Sequence, residues 1–186
     1  MGFAKNFLKN ALGFIRAKFK RVRVSLHNNI YIGHSVDIKG GKLLHVANGV
    51  KFRPYSQIWI NSESIIGNGV EIGERCRFSM KNKLVIEDMV LFSPNVYITD
   101  CDHEYRDISK PVICQGIVED SKKITIGEGS YIGINSVIVG ASIGKHCIIG
   151  ANSVVTHDIP DYSVAVGCPV KIVKRINFET KNWVKQ

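Results

Sequence analysis

One histidine in this chain stands where chemistry could be done. His103 lies in the stretch Thr99-Asp100-Cys101-Asp102-His103-Glu104-Tyr105-Arg106-Asp107, with Pro111 and Gly116 following. A neutral imidazole near physiological pH accepts a proton as a general base. Asp100, Asp102, Glu104 and Asp107 are close enough to orient its ring or to hold a polar acceptor, and spacing alone does not choose among them. His27, His34, His45, His146 and His157 form no H-x-x-x-H or H-x-x-x-x-H pair with it, which argues against a zinc site.

What makes His103 stand out is its place in a repeat. One aliphatic or aromatic residue recurs every six positions: Ile32, Ile38; Val46, Phe52, Ile58; Ile66, Ile72, Phe78; Ile86, Phe92, Ile98; Ile126, Ile132, Ile138; Ile143, Ile149, Val155. Six fits neither a helix face nor strand alternation. Four residues after each beat a second small or branched residue follows, as at Val50, Cys76, Val96, Ser136 and Cys147. Two inward positions per hexad suit a narrow three-sided prism of short strands, three hexads to a coil, with six or seven coils stacked as parallel β-structure. A β-sandwich would instead alternate at period two.

Gly follows the beat at 33, 67, 73, 127, 133, 144 and 150, and is expected to turn the corners at positive φ. Coils starting at 46, 66 and 86 are twenty residues long, which predicts two-residue bulges at corners. The beat due at 104 fails and resumes only at Ile126. A loop of that length leaving a compact solenoid is usually functional, and His103 sits at its root. The fold class expected is therefore an all-β solenoid of hexapeptide repeats, a parallel β-helix. A short basic helix leads in over 1–28, the β-helix spans 29–174 with a protruding loop over 104–125, and a cap or tail follows over 175–186.

The formal charge of +9 arises from 25 basic and 16 acidic residues. Residues 1–24 hold seven of the basic ones (Lys5, Lys9, Arg16, Lys18, Lys20, Arg21 and Arg23) and no acid, leaving 18 against 16 in the body. A general nucleic-acid surface is not indicated. Within that segment Phe3, Phe7, Ala11, Phe14 or Ile15, Phe19 and Val22 recur at helical spacing, giving an amphipathic cationic helix. It is too interrupted by charge to be a signal peptide or a membrane span. It could cap the open end of the β-helix, rest on an anionic membrane surface, or both. The five cysteines include no C-x-x-C; Cys76 and Cys147 fall on inward positions. Scattered thiols of this kind point to a reducing cytoplasm without disulfides, with the membrane's inner face as a peripheral location.

The run Ile126-Gly127-Glu128-Gly129-Ser130-Tyr131-Ile132-Gly133, then Ile149-Gly150-Ala151-Asn152-Ser153-Val154-Val155-Thr156, Asp158-Ile159-Pro160 and Gly167-Cys168-Pro169-Val170-Lys171 resembles the hexapeptide-repeat acetyltransferases. Among them it is similar to the maltose, galactoside and polysaccharide O-acetyltransferases, from about Ile30 to Lys174. The resemblance implies a left-handed coil and a homotrimer with active sites between neighbouring subunits. It implies acetyl-CoA as co-substrate, with no metal, and direct transfer to a sugar or glycan-precursor hydroxyl. His103, seventeen residues after Ile86, matches the family's catalytic histidine. Asp100, Asp102 and Tyr105 would meet the acceptor. Tyr131 would wall the cleft, Gly133, Ala151 and Thr156 would line the pantetheine track, and Lys171 and Lys174 would meet phosphate or the adenine end. The chain departs from the pattern at Tyr131, where tryptophan is common, at Ile134 and His157, where more polar or basic residues stand, and at Val170, where alanine is usual.

Other activities on this scaffold are N-acetylation of a nucleotide-linked amino sugar, a zinc hydratase requiring three histidines, and a non-catalytic scaffold. Nothing in the sequence separates amine from hydroxyl acceptors.

Overall fold

A computed structural model describes residues 2–25, 27–118 and 122–186, with side chains from residue 11 onward. The chain forms one helix, Gly2–Phe19, and then a three-sided β-solenoid of about seven turns. The first face has five strands, from Arg23–Val24 to Ile124–Ile126. The second has nine, beginning with Tyr31–Ile32, and the third six, from Asp37–Lys39 to Val154–Val155.

Every pair of strands from successive coils runs parallel and in register, so beat residues stack on beat residues. Ile32, Phe52, Ile72, Phe92, Ile132 and Ile149 make one such column. Ile38, Ile58, Phe78, Ile98, Ile138 and Val155 make another. The third column runs from Val46 through Ile66, Ile86 and Ile126 to Ile143 and Ile159. All are buried, and the Phe78 and Phe92 rings meet at 5.2 Å. Each such side chain contributes about 1.5–3 kcal/mol through the area it removes from water.

The small inward positions are buried as well, and the series includes Ser56 and Ser163, which continue it. Where serine fills them its hydroxyl reaches a neighbouring corner: Ser130 Oγ donates to Gly144 O at 2.8 Å and accepts from Cys147 N at 2.9 Å. Ser136 Oγ donates to Gly150 O at 3.0 Å. A hydroxyl in the core is tolerated because it is fully paired. Cys76 and Cys147 are buried thiols, with Cys76 pushed up to about 11 by burial.

The twenty-residue coils gain their extra length at one edge, after the third face. Strands Gln57–Ile60 and Arg77–Met80 run on past the beat, and Ile60 and Met80 turn inward there. The glycines following the beat have a different reason from the one expected. Positive φ falls two residues later, at Ser35, Gly69, Arg75, Gly129, Asn135, His146 and Asn152. The preceding glycines are required by coil-on-coil approach. A Cβ on Gly127 would lie 2.4 Å from Gly144 C, and one on Gly133 2.6 Å from Ala151 N. Stacked corners leave no room for a methyl group against backbone.

The helix covers the first coil. Gly13 lies so close to Ile30 O that a Cβ would sit 2.0 Å away, Ala17 is fully buried, and Arg16 donates to Ile32 O. The capping role is thus present, while Leu12, Ile15 and Phe19 face outward. The side chains of Phe3, Lys5, Phe7 and Lys9 lie outside the described residues. At the other end, Lys171–Asn177 pairs antiparallel with Ser163–Val166, and Asn182–Lys185 pairs with it in turn. The strand runs through the boundary expected at 174. It closes the last coil's edge and leaves a short lysine-bearing edge outside.

Gly127→Ala tests the close-approach account. Overpacking against backbone should lower unfolding free energy by about 1–3 kcal/mol, read as an earlier urea midpoint at unchanged slope. No shift would show that the corner has spare room.

Candidate active site

The loop leaves the solenoid at the edge between the third and first faces, after Tyr97–Thr99, and the strand ladder resumes at Ile124. Its root is zipped shut. His103 and Ile117 form an antiparallel bridge, Glu104 N donates to Gly116 O at 3.1 Å, and Val118 N donates to Asp102 O at 2.9 Å. Asp100 ties the root to the coil below, because its carboxylate accepts from Lys81 N and Asn82 N, each at 2.7 Å. Further out, Gln115 accepts from Asp107 N at 3.0 Å and donates to Asp107 O and Lys110 O at 2.8 Å.

His103 is exposed, and among the described residues its ring has no hydrogen-bond partner. Three of the four nearby acids are already engaged. Asp100 holds the corner. Glu104 accepts from Arg106 N and Tyr105 N at 3.0 Å, and the Arg106 guanidinium beside it draws its carboxyl down to about 2. Asp107 accepts from Ser109 Oγ at 2.6 Å and pairs with Lys110 Nζ at 2.9 Å, which also lowers it. Asp102 accepts from His103 N at 2.8 Å through Oδ1 alone, so its other oxygen remains open among the described residues. Tyr105 is 65% exposed.

A cleft of about 200 Å³ lies at the root, lined by Asp100, Cys101, Asp102, Val118, Val139 and Gly140. The Cys101 thiol is held above its ordinary value by burial and by the Asp100 charge. It therefore lacks the thiolate character of a nucleophile. Among the described residues no three His, Cys, Asp or Glu stand close enough to share a metal ion.

The remaining candidates gather elsewhere. Tyr131 projects from the second face, in register with Leu91 and Ile148, both substantially exposed, and its hydroxyl accepts from Ser93 Oγ at 2.9 Å. Along the same row Ile148 pairs with Val164 and Val164 with Lys174. Tyr131 and Lys174 are thus three strand spacings apart, about 14 Å. Lys171 pairs with Val166 at that face's margin. Gly133 and Ala151 stack at the edge between second and third faces, where Asn95 Nδ2 donates to Asn135 Oδ1 and Asn135 Nδ2 to Asn152 Oδ1, at 3.0 and 3.1 Å. Leu91 and Ile148 were not among the expected site residues. Being apolar at an outward phase of the beat is the signal that would have found them.

Thr156 follows Val154–Val155 and so occupies the loop's edge, apart from Gly133 and Ala151. The chain therefore brings Tyr131, Gly133, Ala151, Lys171 and Lys174 onto one face and its margin. It places His103, Asp100, Asp102, Tyr105 and Thr156 at the next edge. The width of the third face separates the two sets.

Known proteins bear on this arrangement. A family model described as the hexapeptide repeat of succinyl-transferase matches residues 123–157. A Mycobacterium tuberculosis protein named as an acetyltransferase is 30% identical over 170 residues, 86% of this chain and 54% of its own length. An Escherichia coli protein named for lipopolysaccharide biosynthesis O-acetyl transfer is 33% identical over 124 residues, 63% of each chain. The chain spans about half to three fifths of these relatives. Among solved structures, the N-acyltransferase AntD of Bacillus cereus, in complex with dTDP and coenzyme A, superposes with a TM-score of 0.70 at 18% identity, covering 82% of this chain and 84% of that one. That likeness is one of fold. Repeat and solenoid make this chain a β-solenoid of hexapeptide repeats, similar in sequence to proteins named as acetyltransferases.

Asp100→Ala should strip two backbone amides of their acceptor, at a cost of about 1–3 kcal/mol, and speed hydrogen exchange at Lys81 and Asn82. Unchanged exchange there would show that the loop root is held by other means.

Proposed function

We propose that the protein transfers an acetyl group from acetyl-CoA to a sugar hydroxyl, in clefts between the subunits of a homotrimer. One observation carries the reading: a ring without partners at the loop root, and an exposed apolar row ending in lysines, sit on different edges of a rigid prism. A second copy, docking its row against the first copy's loop, would unite them. The names of the relatives support acetyl as the group and a glycan precursor as acceptor.

In such a cleft Tyr131, with Leu91 and Ile148, gives the pantetheine arm an apolar wall. Gly133 and Ala151 present backbone at the edge, and Lys171 and Lys174 lie where a phosphate-bearing end would reach. The acceptor enters beside Asp102 and Tyr105. His103 takes the hydroxyl proton as the oxygen attacks the thioester carbonyl. The C–O bond forms, the C–S bond breaks, and the proton passes from the imidazolium to the departing thiolate. Asp102, holding the His103 amide and retaining a spare oxygen, is positioned to steady the loop as the ring gains charge. Unpaired thiols suit a reducing cytoplasm.

His103→Ala should lower acceptor-dependent thiol release from acetyl-CoA by about two to four orders of magnitude, the usual worth of a general base, with coenzyme A binding unchanged by calorimetry. Undiminished release would overturn the assignment. Release with amino sugars alone would move the acceptor from hydroxyl to amine.

A further inference from the structure

The helix Gly2–Phe19 does more than cover the first coil. Its inner face is occupied, through Gly13 against Ile30 and through buried Ala17. From residue 11 onward its outer face is not. Leu12 is 46% exposed, Ile15 49% and Phe19 86%. Large apolar side chains at that exposure mark a contact surface. Lys18 and Arg21 are exposed beside them, and neither has an acidic partner among the described residues. No acid precedes Asp37 in the sequence, so this end carries most of the excess positive charge.

We propose that this face docks the protein on an anionic lipid bilayer, lying in the interface with Leu12, Ile15 and Phe19 entering the acyl boundary. The observation specific to this occupant is the combination of aliphatic and aromatic side chains with flanking cations on one helix. A nucleic acid would use the charge and leave the aliphatic residues in water. An anionic bilayer satisfies both, the apolar tips below and the cations at the headgroups. Gly13, Arg16 and Ala17 hold the inner face against the solenoid, so the apolar edge is presented on a helix already formed. No helix among the described residues is long and apolar enough to cross a membrane, and a surface-lying helix needs no such length. The proposal rests on the helix and its charges, independently of any catalytic activity.

The test is co-sedimentation of the full chain with vesicles of phosphatidylcholine containing phosphatidylglycerol, against phosphatidylcholine alone. The charged vesicles should carry down the protein at least tenfold better, and added salt should weaken that binding. Lys18→Glu should weaken it by about fivefold or more. Ile15→Ser with Phe19→Ser should weaken it at least tenfold, while the thermal midpoint by circular dichroism stays near that of the parent.

Three outcomes would overturn the proposal. One is equal sedimentation with both vesicle types. Another is binding untouched by the serine pair and displaced by an oligonucleotide, which would indicate a general polyanion surface. The third is loss of self-association by light scattering in the serine pair without loss of lipid binding, which would make the face a contact between copies.

Discussion

Register between coils is the constraint from which the rest of this molecule follows. A parallel stack buries its axis only if each inward residue falls on the one below. The columns through Phe52 and Phe78 do this coil after coil. The same closeness forces glycine where corners touch and small side chains at the second inward position. It also sets the terms on which the chain can depart from the repeat. The loop enters after Thr99, and Ile126 still pairs with Ile86 as though nothing intervened. The insertion is tolerated because its two ends are brought back to one edge, and the zipped root with the Asp100 anchor holds them there.

The rigidity that steadies the root also keeps the two sets of candidate residues apart. A solenoid cannot fold one face onto the next, so no motion of a single chain carries Tyr131 and Ala151 to His103. Association becomes a condition of the proposed chemistry, because one copy would supply the donor track and its neighbour the base. The exposed apolar side chains of the loop, Ile108 and Ile113 at 99% and 88%, fit the same view. Left in water in one chain, they have the character of side chains that a neighbour would cover.

Much of the fold was readable because the repeat is local. The beat named the core columns and the failure at 104 named the loop. What was not legible depends on contacts between coils, which spacing does not reveal. The glycines after the beat looked like turn formers, whereas the turn is made two residues later and the glycine answers to the next coil's backbone. The resemblance groups Thr156 with Ala151 on one track, and within one chain five residues carry it across a whole face from there. Asp100 stood among four acids that spacing does not rank, and its carboxylate accepts from two backbone amides of the coil below. The helix offered two roles in the sequence; the burial of Ala17 shows that capping is one of them.

The proposed division of the site between copies is tested most directly by mixing two disabled chains. Co-expressed His103→Ala and Ala151→Trp subunits would each lack one half of every cleft they form alone. If base and donor track come from different subunits, mixed trimers regain activity at about a quarter of the parent level, the share of interfaces pairing two intact halves. Mixed assemblies no more active than the separate variants would contradict the account.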